Sequence, residues 1–240
     1  MRIGLITRLR DRLAFNPVNR SRWVAEQARK LKSGSAVLDA GAGTGLYRNY
    51  FSHCLYKAQD FAQEPSTLGK YAHLDYVSDI THIPADNDAF DAILCTEVLE
   101  HLPEPTAAIA EFARLLKPGG RLLLTAPLGS RIHQAPFYFC SGFSPYWYRH
   151  VLPRHGFSVE SIEANYGFFS HVAQENRHLA YLIRPRIQTP TLQAAILTAL
   201  WALVVLPLFI LSLAAEYLDT LGLDASDTVG YHVVAVKHQR

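Results

Sequence analysis

The residues with the clearest chemical character begin at Val37-Leu38-Asp39-Ala40-Gly41-Ala42-Gly43-Thr44-Gly45, where an apolar run meets three glycines at alternate positions. Glycines let a backbone turn sharply and approach a ligand with no Cβ in the way. A phosphate-gripping loop would need Gly-Lys-Ser or Gly-Lys-Thr, which this segment lacks, and a dinucleotide fingerprint fits Leu46 badly. The loop therefore suits a nucleoside bearing an amino-acid tail better than a pyrophosphate. Asp60 stands 21 residues after Asp39 at the end of the next apolar run, where a carboxylate can accept from both ribose hydroxyls. Glu64 is the alternative if that run ends later. Asp79 closes the following run, and with Ile80 beside it can accept from an adenine amine while the isoleucine packs on the ring.

A second set of candidates centres on His101, with His133 as the next choice, as general bases for an oxygen nucleophile. Glu97 and His101 are spaced i, i+4 in what reads as a helix, which is half of a zinc motif with no third ligand at a suggestive spacing. His101 also reads as a structural residue that closes this helix before Pro103. The three cysteines, Cys54, Cys95 and Cys140, are odd in number and far apart, with neither disulfide nor zinc spacing. No metal site is therefore expected, and turnover is expected to be metal-independent. The cysteine usage, and an N-terminal stretch without the apolar core or cleavage site of a secretory signal, point to a reducing, cytoplasmic compartment.

The elements that must position these residues alternate. Short apolar runs at 35–39, 55–60, 74–79, 90–95 and 121–125 read as strands, with weaker ones at 157–163 and 231–237. Glu104–Leu116 reads as a helix with Ile109, Phe112, Leu115 and Leu116 on one face, stopped by Lys117-Pro118-Gly119-Gly120. A helix over Arg22–Leu31 with Ser21 as its N-cap precedes them. Strands alternating with helices imply a parallel sheet covered on both faces, an α/β doubly wound fold. At 240 residues and 49% hydrophobic, the chain can bury a sizeable core, and a net charge of +2 gives no reason to expect a nucleic-acid partner.

Residues 37–45 resemble the first motif of the class I S-adenosylmethionine-dependent methyltransferases. Phe90–Leu102 resembles their fourth-strand motif, and Leu115–Leu122 their turn into the fifth strand. The chain is similar to the broad type 11 subfamily, tightly over about 35–127. The resemblance implies a mostly parallel seven-stranded sheet whose last strand is antiparallel, and S-adenosylmethionine as cofactor. It implies Asp39, Gly41, Gly43 and Gly45 around the methionine tail, Asp60 on the ribose, Asp79 and Ile80 at the adenine, and Thr96 and Glu97 beneath the sulfonium. It also implies a lid over 127–157, whose aromatic residues suit an apolar or sugar-bearing acceptor. The expected reaction is methyl transfer to a small-molecule, glycan or lipid-linked acceptor through an oxygen nucleophile. A non-catalytic cofactor-binding scaffold and a nicotinamide-dependent oxidoreductase are the rival readings.

Two segments fall outside that pattern. Residues 1–32 carry nine Lys or Arg against two acids, and the first 15 read as a basic amphipathic helix suited to an anionic membrane surface. Residues 187–215 carry no charge, and 194–215 has the length of a transmembrane span. A single span would separate the last strand from its sheet. The segment is therefore expected to form an interfacial, re-entrant or partner-buried helical hairpin bent near Pro207, with the inner membrane face or a homodimer as its partner. The organisation expected is a basic helical segment at 1–33, a cofactor-binding core at 34–164, a hydrophobic helical insertion at 165–229 and a returning last strand at 230–240.

Overall fold

Strand β1 (Ala36–Ala40) is buried over its last four residues and lies at the centre of the sheet. In the computed structural model, which describes residues 15–64, 67–186, 191–222 and 227–239, it pairs in parallel with β2 (Leu55–Asp60) and with β4 (Phe90–Thr96). β3 (Tyr76–Val77) extends the sheet beyond β2, and β5 (Leu116–Pro127) beyond β4. β7 (Gly230–Lys237) returns antiparallel between β5 and β6 (Phe157–Ala164), giving the order β3-β2-β1-β4-β5-β7-β6. The order reverses between β1 and β4, so the loops that leave these two strands diverge and open a crevice at their carboxyl ends.

Helices cover both faces. α1 (Phe15–Arg29) packs Trp23, Val24 and Ala28 on Val37, Leu94, Leu123 and Val234. On the other face α2 (Pro105–Leu115) and α3 (Pro145–Arg154) bury Ile109, Phe112, Leu115, Tyr148 and Leu152 against Leu38, Ile93, Leu122 and Val233. This is the doubly wound sheet expected from the alternation of elements, with the seven strands and antiparallel last strand that the family resemblance implies.

Several boundaries differ from the sequence reading. α1 starts at Phe15, so Ser21 lies mid-helix and caps nothing. Pro17 is tolerated because it falls in the first turn, where its missing N–H has no partner to lose. β3 has two residues instead of six: it is an edge strand, and just before it the Asp75 carboxylate takes the Ala58 N–H at 2.9 Å in place of a ladder bond. β5 starts at Leu116, which pairs with Phe90 before a bulge shifts the register. No α-helix starts directly after β4. Leu99–His101 is a single 3₁₀ turn, and Glu97 has a left-handed backbone (φ +53°), so Glu97 and His101 are not a helical i, i+4 pair.

The chain divides into two compact units: the sheet with its helices, and Tyr166–Val229. The second is built from α4 (Phe168–Leu182) and α5 (Leu192–Asp219). Asp219 accepts from Gly167 N at 2.8 Å and Ser170 Oγ at 2.6 Å, Arg177 pairs with Glu216 at 2.5 Å, and Trp201 Nε1 donates to Ala180 O at 3.0 Å. The expected hairpin turn at Pro207 does not occur. α5 runs through it as one 28-residue helix, about 42 Å long. A single proline removes one backbone bond, and the Leu- and Ala-rich turns on either side hold the helix. The hairpin is instead made by α4 against α5. The basic segment 1–14 lies outside the described residues.

Candidate active site

The crevice at the strand ends holds a cavity of about 530 Å³, within the range of about 300–1,000 Å³ usual for small-molecule sites. Strands β1–β4 each contribute at or just beyond their carboxyl ends. Gly41 and Gly43 come from β1, and Gln59, Asp60 and Phe61 from β2. Asp79, Ile80 and Thr81 follow β3, and Glu97, Val98 and His101 follow β4. Gln134, Phe137 and Phe139 of the 127–157 segment complete the wall. Asp39, Gly45, Thr96 and His133 do not line it.

The glycine loop is folded by backbone contacts that a side chain would break. Gly41 and Gly43 have φ of +77° and +51°. Gly41 N donates to Gln59 O at 2.9 Å, and a Cβ there would overlap Val98. Gly43 N donates to Asp60 Oδ2 at 2.9 Å, yet a Cβ at Gly43 would meet nothing within 4 Å. Gly43 therefore faces open cavity, a place where a ligand can reach bare backbone. Asp60 is buried, and its other oxygen accepts from Ala62 N at 3.0 Å. Asp79 is exposed, with Oδ1 accepting from Thr81 N at 2.8 Å and Thr81 Oγ1 at 2.7 Å, while Ile80 is buried beside it. Glu64, the alternative to Asp60, lines the same cavity and accepts from Thr67 Oγ1 at 2.7 Å.

Asp39 is fully buried at the end of β1 and accepts a 2.5 Å hydrogen bond from Tyr56 Oη. Burial pushes its carboxyl up to about 6 and the nearby Asp60 charge adds to this, while the Tyr56 bond and the Arg48 charge oppose it. Thr96 ends β4 opposite Thr125. Glu97 accepts from Thr125 Oγ1 at 2.8 Å and pairs with Arg20 of α1 at 2.8 Å. Arg20 also donates to Tyr47 Oη at 3.1 Å. Burial opposes the Arg20 charge, but Glu97 and Tyr47 outweigh it and raise its pKa.

His101 lines the cavity from the 3₁₀ turn. Its Nδ1–H donates to Phe137 O at 2.5 Å, because a carbonyl can only accept, and this leaves Nε2 with a free electron pair in the neutral ring. Burial lowers its pKa, partly offset by the Phe137 bond. Next to it Glu100 is 1% exposed, and burial and the Glu97 charge push its carboxyl up to about 8.

Of the 127–157 aromatics, Phe137 and Phe139 reach the cavity, Phe137 meeting Phe61 edge-on at 4.9 Å. Phe143, Trp147 and Tyr148 pack on the core, and Ser144 caps α3 by accepting from Trp147 N. Sequence reasoning missed Gln59, Phe61 and Tyr71 in the wall, and counted Arg20 only as part of a basic segment. The signal for Gln59 and Phe61 was their adjacency to Asp60. Nothing local marked Arg20.

Apart from His101, every charged residue in the described wall is an acid: Asp60, Glu64, Asp79, Glu97 and Glu104. A seven-stranded sheet of this order, with a glycine turn after β1 and acids after β2 and β3, defines the class I methyltransferase fold. Residues 38–124 match the family model described as a methyltransferase domain, which supports a class I S-adenosylmethionine-dependent methyltransferase. Over 122 residues it is 38% identical to ubiquinone biosynthesis O-methyltransferases of Xanthomonas oryzae pv. oryzae and Xanthomonas axonopodis pv. citri, covering 47% of this chain and 50% of theirs. The chain thus spans about half the length of these curated relatives. Among solved structures, it is similar to a Haemonchus contortus phosphoethanolamine N-methyltransferase 2 in complex with S-adenosyl-L-methionine (TM-score 0.55, 17% identity, 92% of this chain and 53% of that one). It is also similar to the 4+2 cyclase SpnF (TM-score 0.56, 20% identity, 93% and 82%). At these identities the likeness concerns the fold alone.

Proposed function

We propose that this chain transfers a methyl group from S-adenosylmethionine to an oxygen of a small, largely apolar acceptor. The observation that carries this reading is the acid-lined cavity with bare backbone at Gly43. A sulfonium donor with an α-amino group is cationic and gains from these carboxylates, whereas the pyrophosphate of a nicotinamide dinucleotide would be repelled by them. The open cradle at Gly43 and the cavity volume fit the donor. Asp60 would hold its ribose, Asp79 and Ile80 its adenine, and Gly41 and Gly43 its methionine tail, with Gly45 and Asp39 supporting the loop from behind. Glu97 would form the floor under the sulfonium, with Thr96 behind it at the end of β4. When bound, the donor supplies an already activated methyl group.

The chain's own contribution is alignment and proton handling. Asp60 couples the Gly43 N–H to the ribose position, so loop and ligand order together. Arg20 holds Glu97 in place and balances its charge. His101, with its tautomer set by Phe137, presents Nε2 to the acceptor side, and His133 lies next to it. Phe61, Phe137 and Phe139 favour an aromatic or polyprenyl-bearing acceptor over a glycan, in keeping with the quinone chemistry named for the Xanthomonas relatives. A non-catalytic scaffold would have no need of a histidine fixed in this tautomer.

The acceptor's apolar character also accounts for the second unit. α5 is long and apolar enough to cross a membrane by length and composition, and Leu192, Leu203, Leu206 and Ile210 are exposed along it. We infer that it lies against the cytoplasmic face of a lipid bilayer. The alternative partner, a second copy of the chain, would bury the same residues. The deciding experiment is turnover of labelled methyl donor with a panel of catechol, quinol and sugar acceptors. Methylation of a quinol or catechol hydroxyl is expected. Donor binding with no turnover on any extract component would favour the scaffold instead.

A further inference from the structure

The geometry points to a divalent metal site formed by Glu100, His101 and His133, at the acceptor side of the cavity. This deepens the methyltransferase reading above and rests on it for the ion's role, though not for its existence. The ligand atoms of the three residues lie within 4.8 Å of one another. His101 Nε2 is 3.7 Å from Glu100 Oε1, and the two imidazoles meet edge-on with centroids 4.7 Å apart.

Two independent features distinguish this cluster from a chance grouping. The first is how the rings are held. His101 Nδ1–H donates to Phe137 O at 2.5 Å and His133 Nδ1–H donates to Arg131 O at 2.8 Å. Metal-binding histidines typically give their second ring N–H to a carbonyl or carboxylate, which fixes the tautomer and leaves the other nitrogen's electron pair for the ion. Here both rings are set that way. The second is Glu100. Its side chain is almost fully buried, and Oε2 has no hydrogen-bond partner. A buried carboxylate oxygen without a partner is costly; the same carboxylate faces His101 Nε2 through Oε1, and a cation held between that oxygen and the imidazoles would offset the charge buried there.

The loop carrying His133 is tied to the turn carrying the other two ligands. Glu100 O accepts from Phe139 N at 2.9 Å, and Phe137 O accepts from His101. The three ligands are therefore preorganised by backbone contacts. Two imidazoles and a carboxylate suit a first-row divalent ion such as zinc, cobalt or manganese better than magnesium, and leave coordination positions open. His101 lines the cavity, so an acceptor hydroxyl can take an open position. Coordination lowers the hydroxyl's pKa, its proton passes to water, and the oxygen keeps the electron pair it needs as a nucleophile. His101 then acts as a ligand rather than as the base itself. This departs from the metal-free site expected from the sequence.

The test is calorimetric titration of the metal-stripped full chain with Zn²⁺ alone, with Co²⁺ absorption bands as a second readout. One equivalent is expected to bind. His133 is exposed, so His133→Ala leaves the fold intact, and Glu100→Gln keeps the shape of the buried side chain. Each should weaken Zn²⁺ by about 100-fold or more, since even second-shell losses cost about 10–100-fold. S-adenosylhomocysteine binding, measured separately, should be unchanged in His133→Ala. No uptake by the unsubstituted chain, or uptake equal in both variants, would overturn the site. Because the titration contains neither donor nor acceptor, that result is separable from any failure of the methyl-transfer reading, which the S-adenosylhomocysteine titration reports.

Discussion

Asn in place of Asp39 should make the ligand-free protein more stable at neutral pH, even though Asp39 accepts a short hydrogen bond. The carboxyl is buried beneath the glycine loop and titrates at about 6 in the folded chain, against an ordinary 3.8. Above about pH 6 the folded state holds a desolvated charge that the unfolded state leaves in water. Between the two pKa values the folded state binds one proton more than the unfolded state, so stability rises as pH falls through 6. A raise of about two units corresponds to about 3 kcal/mol at 1.36 kcal/mol per unit. An amide keeps an oxygen for the Tyr56 hydroxyl and carries no charge. Asp39→Asn is therefore expected to gain about 2–3 kcal/mol in denaturant unfolding at about pH 7.5, an advantage that shrinks below about 1 kcal/mol near pH 4.5. Other titrating groups, such as His232, are common to both proteins and cancel in the difference. Weaker S-adenosylhomocysteine binding should accompany the gain, the pattern of a site strained for function. A difference independent of pH, or an Asn variant less stable at pH 7.5, would refute the argument.

Asp60→Ala should weaken S-adenosylhomocysteine in calorimetry by roughly 2–4 kcal/mol, because it removes charge-assisted bonds to the ribose and the anchor of Gly43; unchanged affinity would move the ribose role to Glu64. Arg20→Ala should cost about 2 kcal/mol in unfolding, below the ~3–5 kcal/mol of a fully buried pair because both side chains keep some exposure, and Glu97→Gln added to it should recover part of the loss. The full chain should float with anionic liposomes, and lysines in place of the exposed Leu203 and Ile210 should abolish a salt-resistant part of that binding. Equal flotation of both proteins, or none of either, would favour the self-association partner.

What was legible in the sequence is what a strand order makes local. Asp39, Asp60 and Asp79 each end an apolar run, and in a parallel sheet the ends of successive strands face one crevice, so a one-dimensional pattern predicts a shared cavity for Gly43, Asp60 and Asp79. The same logic says nothing of groups that reach the crevice sideways. Arg20 arrives from a helix on one face and meets Glu97 because α1 packs on β1 and β4 through Trp23 and Val24. No spacing encodes that contact. Tyr56 belongs to β2 and finds Asp39 only through the β1–β2 pairing.

The histidines show the converse error. The i, i+4 spacing of Glu97 and His101 suggested a helical pair with its third ligand missing. The left-handed backbone at Glu97 instead commits its carboxylate to Arg20 and Thr125, and the tight turn after it brings Glu100 beside His101. The remaining ligand, His133, comes from a loop 32 residues on, which the Phe137 and Phe139 backbone contacts with that turn hold in place. Ligand-spacing rules work when the ligands share one regular element. Here the spacing paired His101 with Glu97, whereas the turn sets Glu100 beside it, and the loop that folds back onto the turn brings His133 to both.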